Sequence, residues 1–82
     1  MYKNRAENGL NNICGRKIRE IRLSLPQRTS QNQLTAKLML EGLDIDKNAV
    51  QRIESGQRFV TDIELKTIAK VLNVSYEELL GN

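Results

Sequence analysis

Apolar side chains recur along this chain at three- and four-residue intervals, and no segment alternates with the two-residue period of a strand. Cys14, Ile18, Ile21 and Leu25 fall at i, i+4, i+7 and i+11, which predicts a first helix from Asn12 to about Ser24 with Asn11 or Asn12 as its cap. Pro26 disfavours the helical conformation at Leu25 and ends it there. Ser30 with Gln33 has the form of a capping box, opening a second helix whose buried side is Leu34, Leu38 and Leu40. Gly42 is its stop, and Leu43 and Ile45 anchor the following turn. A third helix runs from a cap at Asp46 to Ser55, with Ala49, Val50 and Ile53 on one side and Gly56 beyond its end. Thr61 with Glu64 and Ser75 with Glu78 repeat the capping-box form and open two more helices. Val60–Leu65 and Val74–Leu79 stand at the spacing of hydrophobic staples. Ile63, Ile68, Val71 and Leu72 carry the apolar side of the fourth helix, widened by Leu65 and Ala69, and Asn73 is its left-handed stop. The fifth is short, ending near Leu80 and Gly81.

The expected fold is therefore all-α, a compact five-helix bundle occupying residues 12–82 behind a polar, aperiodic arm at 1–11. Eighty-two residues suffice for one small core, and with only Tyr2, Phe59 and Tyr76 as aromatics it must be built from Leu, Ile, Val and Ala. The single cysteine, Cys14, lies on the first helix's apolar stripe and reads as a small core hydrophobe. With one cysteine and no histidine, no internal disulfide, zinc cluster, Cys/His nucleophile pair or histidine base can be assembled. The remaining Asp, Glu, Lys, Ser and Tyr residues form no recognisable catalytic arrangement, so neither an enzyme nor a cofactor is expected. No apolar run approaches a membrane span or a signal-peptide core, and a cytoplasmic location is expected. Nor is a small-molecule ligand or a ligand-sensing domain.

Charge changes this picture at one end. Residues 1–60 hold eleven Lys/Arg against six Asp/Glu, a balance of +5, whereas residues 61–82 carry −2. A basic portion before a mildly acidic tail fits one end of the fold facing an anionic polymer. The third helix sharpens the reading. Opposite its apolar side stand Lys47, Asn48, Gln51 and Arg52, all hydrogen-bond donors suited to phosphates or base edges. Gln31 and Asn32 sit at the start of the second helix, where unpaired N–H groups and the helix dipole favour a phosphate. Lys3 and Arg5 place two cations on the arm.

The ordered blocks GRKIREIR, SQNQLTAKL, AVQRIESGQR and ELKTIAKVLNVSYEELL resemble the lambda-repressor-like helix-turn-helix domain of phage repressors and Cro, over roughly residues 12–80. The resemblance implies that the second and third helices form the DNA-binding pair and that the third lies in the major groove. By position it assigns base contact to Lys47, Asn48 and Arg52, with Gln51 on the flank, and phosphate contact to Gln31, Gln57 and Arg58. It also implies that Arg22 pairs with Glu54 structurally, which keeps that carboxylate away from DNA. The implied function is sequence-specific binding of double-stranded DNA by a transcriptional regulator, a repressor, acting as a homodimer on a palindromic operator. The alternative on the same fold is a protein-interaction module such as an antitoxin or adaptor subunit. Two departures stand out. The connection between the second and third helices is longer than the family's tight turn, with the extra residues within about 39–45, and the LPQRT connection before Ser30 is also extended.

Overall fold

The computed structural model describes residues 9–27 and 29–81. Among these it contains five helices and no strand: α1 Gly15–Ser24, α2 Gln31–Leu40, α3 Lys47–Glu54, α4 Asp62–Leu72 and α5 Tyr76–Leu80. This is the all-α architecture that the periodicity predicts. Of the expected arm, residues 1–8, with Lys3 and Arg5, lie outside the described residues.

Each helix start has a local cause. Ser30, Thr61 and Ser75 accept from the N–H of Gln33, Glu64 and Glu78, and those side chains accept in return from the cap N–H groups. Asp46 accepts from the Ala49 N–H at 2.8 Å and caps α3. The first helix departs from expectation: it begins at Gly15, with Cys14 at the cap position making no side-chain capping bond. Asn12 Oδ1 accepts from the Gly15 N–H at 2.7 Å, so Asn12 satisfies the first turn from outside the helix.

The helix ends share one geometry. At the ends of α2, α3 and α4 the chain closes with paired bonds, Leu43→Leu38 and Gly42→Met39, Gln57→Arg52 and Gly56→Ile53, Val74→Ala69 and Asn73→Lys70. The closing residues Gly42, Gly56 and Asn73 have φ of +91°, +83° and +57°, a region in which a β-carbon is costly and Asn is among the better tolerated side chains. The longer connection into α3 is thereby explained. It is made by an α2 that continues to Leu40 and by a six-residue turn after it.

The core is Ile18 and Cys14 from the first segment, Leu34 and Leu38 from α2, Val50 and Ile53 from α3, Ile68, Ala69 and Leu72 from α4, and Leu79 from α5, closed by Ile45. Burial pushes the Cys14 thiol above its ordinary pKa, so it behaves as a packed apolar group. Val60, Leu65 and Val74 pack against the core from the staple positions. Two apolar residues do not join it. Leu40 is 86% exposed because it lies on the outer side of the last turn of α2, and Ile63 is 68% exposed because the Thr61 cap turns the second residue of α4 outward. Both were expected on buried faces.

α3 packs on α1 and α2, while α4 packs on α2 and α5. α1 and α3 come close together at Gly15, where a β-carbon would fall 2.0 Å from the Ile53 carbonyl oxygen. No helix among the described residues is long and apolar enough to cross a membrane.

Candidate nucleic-acid interface

The third helix is held from behind and open in front. Val50 and Ile53 are 2% and 1% exposed, whereas Lys47, Asn48, Gln51 and Arg52 all lie on the exposed side. Their donors therefore project from one face of a helix that is fixed by its opposite stripe.

Glu54 is the single carboxylate within α3, and it does not face outward. Arg22 donates to it through Nε at 2.7 Å and Nη2 at 2.9 Å, a bidentate pair in which both residues are 7% exposed. The remaining Arg22 nitrogen, Nη1, donates to the Thr29 carbonyl at 2.9 Å. Gln31 Nε2 adds a third donor to Glu54 Oε1 at 3.0 Å. The start of α2, α1 and the end of α3 are thus joined at one carboxylate. Gln31 spends one N–H there and keeps a second, while Asn32 beside it is exposed.

Arg58 sits differently from the two cations of α3, Lys47 and Arg52. Its guanidinium makes a bidentate pair with Glu64, Nη1–Oε1 2.8 Å and Nη2–Oε2 2.7 Å, and Nη1 also donates to the Phe59 carbonyl. The hydrogen bond from Arg58 is the main cause that holds the Glu64 carboxyl below its ordinary pKa, against a burial cost that raises it. The same bond raises Arg58. Glu64 also closes the α4 capping box, so one carboxylate anchors both the loop cation and the helix start. Gln57, one residue earlier, is exposed.

Sequence reasoning missed a set of polar ties on the arm side of α3. Asn12 Nδ2 donates to the Ile53 and Arg58 carbonyls at 3.1 and 2.7 Å. The Asn11 N–H donates to Gly56 O at 2.8 Å, and its side chain donates to Gln57 O at 2.8 Å. Leu10 lies against Gly56, where an added β-carbon would meet its side chain at 2.9 Å. The available signal was weak, an Asn-Asn pair with no periodicity, legible only as a cap.

This arrangement presents a short donor-covered helix, cleared of exposed carboxylates along its length and braced at its C-terminal end by α1 and the preceding segment. A helix-turn-helix family model matches residues 18–79. The chain belongs to the lambda-repressor-like helix-turn-helix family. Among solved structures it is similar to the restriction-modification controller protein C.AhdI from Aeromonas hydrophila, with 28% identity, a TM-score of 0.66, and coverage of 79% of this chain and 84% of that one. No curated protein matches it. Membership of this family makes the chain a DNA-binding transcriptional regulator. Among the described residues there is no His/Cys/Asp/Glu group that could hold a metal ion.

Proposed function

We propose that this helix-turn-helix protein is a sequence-specific repressor that inserts α3 into the major groove of double-stranded DNA. The observation that carries the reading is the division of α3, with Val50, Ile53 and the paired Glu54 turned inward and every outward donor exposed. In this reading Arg52 takes guanine O6 and N7, Asn48 takes adenine, and Lys47 and Gln51 complete the base-facing set. Gln31 and Asn32 hold one phosphate at the start of α2, while Gln57 and Arg58 hold another beyond α3. Arg58 arrives at this phosphate already paired with Glu64, so it brings a partly neutralised charge and its remaining N–H donors.

One such domain covers a few base pairs, and the working unit is a homodimer on a palindromic operator with half-sites about one helical turn, roughly 34–36 Å, apart. Repression follows from occupancy of the operator. The likeness to a restriction-modification controller supports control of a gene set of that kind. The test is selection of duplexes from a random library, followed by anisotropy titrations across salt. A recovered palindrome with an affinity falling steeply between about 50 and 200 mM salt is expected. An affinity for duplex that stays undetectable at about 50 mM salt overturns the reading.

A further inference from the structure

We propose that Asn11, backed by Asn12, is a positioning residue for DNA binding, one that holds the loop after α3 so that Gln57 meets the phosphate backbone in a fixed geometry. The inference rests on the DNA reading above. Three successive carbonyls of that loop accept from the Asn pair. Gly56 O accepts from the Asn11 N–H at 2.8 Å, Gln57 O from the Asn11 side chain at 2.8 Å, and Arg58 O from Asn12 Nδ2 at 2.7 Å. The N–H groups of the same residues are also taken. Gly56 donates to the Ile53 carbonyl at 3.0 Å, while Gln57 and Arg58 both donate to the Arg52 carbonyl at 2.9 and 3.2 Å. Every backbone polar group of residues 56–58 is thus bonded, and the side chains leave the loop from a set origin.

Starting α1 does not call for this arrangement. Capping α1 uses only Asn12 Oδ1, which accepts from the Gly15 N–H. The donations of Asn12 Nδ2 and of Asn11 go instead to the end of α3 and its loop. The Asn11 side chain also carries a cost. Its Oδ1 is buried and accepts from no described residue, and a buried acceptor without a partner lowers stability. An alanine would avoid that cost. A side chain that weakens the fold while its donor is aimed at the segment beyond the reading helix fits a role in presenting that segment.

An ordered loop reaches the duplex with its freedom already lost, so more of the phosphate contact appears as affinity. The tie is uncharged and acts through backbone, and phosphate contacts carry no sequence information, so Asn11 should serve every duplex alike.

Anisotropy titrations of wild type, Asn11→Ala, Gln57→Ala and the double variant test the assignment, on the selected duplex and on an unrelated one. Asn11→Ala keeps the bond from its own N–H and loses only the tie to Gln57. It should unfold in urea no earlier than wild type, yet bind both duplexes about tenfold more weakly, the worth of one hydrogen bond to a charged group. Gln57→Ala should lose a similar amount. The double variant should lose no more than either, because Asn11 acts through Gln57. A purely structural Asn11 would lower the urea midpoint and leave the affinity of the folded chain unchanged. The assignment is overturned if Asn11→Ala binds both duplexes like wild type, or if its loss adds in full to that of Gln57→Ala. Wild type that binds neither duplex at about 50 mM salt sinks the DNA reading and this assignment together. Wild type that binds, matched by Asn11→Ala, sinks the assignment alone.

Discussion

Arg22 and Glu54 are thirty-two positions apart in the chain, yet their side chains form a two-pronged pair at 2.7 and 2.9 Å that is almost wholly out of water. The pair locks α1 to the end of α3, and Glu54 accepts a third bond from Gln31. Breaking such a pair from one side leaves the other charge buried without compensation. Arg22→Ala is expected to destabilise the fold by about 3–5 kcal/mol. Replacing both partners with apolar residues of similar volume should cost much less than either single change. Urea unfolding of the two single variants and the double variant checks this, and a double variant as weak as the sum of the singles would argue against it.

Glu64 gives the stability a pH dependence with a definite sign. Its carboxyl is held below the usual value in the folded state, first by the Arg58 hydrogen bond. Stability from this group is therefore fully present above its unfolded value, about 4.3, and is lost as pH falls through the lower folded value. Unfolding midpoints measured from pH 6 down to pH 3 should drop, and Glu64→Gln should flatten part of that drop. Equal slopes in the two proteins would show that the pair contributes nothing to the titration.

Arg52 is exposed and takes no place in the core, so its removal separates reading from folding. Arg52→Ala should leave the unfolding transition in place and cost roughly 1–3 kcal/mol on the selected duplex. On unrelated duplexes its effect should be small. Anisotropy titrations on both DNAs give the difference directly, and a uniform loss on both would reassign Arg52 to phosphate.

Gly15 reverses a familiar sign. In an open helix, Gly→Ala stabilises by up to about 1 kcal/mol. Here the added carbon would lie 2.0 Å from the Ile53 carbonyl oxygen, which is backbone and cannot swing aside. Gly15→Ala should instead destabilise by about 1–3 kcal/mol, the range for forcing extra volume into a packed site. Thermal unfolding decides the sign.

The sequence made the helices legible because their signals are local. Ser30, Thr61 and Ser75 each announce a start through a partner three residues on, and Gly42, Gly56 and Asn73 announce stops through one backbone angle. Burial was less legible where periodicity met an end. Ile63 and Leu40 continue apolar stripes on paper but sit at the first and last turns, where the neighbouring helix no longer covers them. The Arg58–Glu64 pair spans a loop and a cap, so no period points to it, and the capping box had already assigned Glu64 a partner. Asn12 was equally opaque, because its partners are carbonyls forty-one and forty-six residues away.

The separation of faces on α3 has an evolutionary consequence. Lys47, Asn48, Gln51 and Arg52 are exposed and take no place in the core, so exchanging them alters no packing. A protein built this way can drift from one target site to another without passing through an unfolded ancestor, and most members of a library randomised at these four positions should still fold.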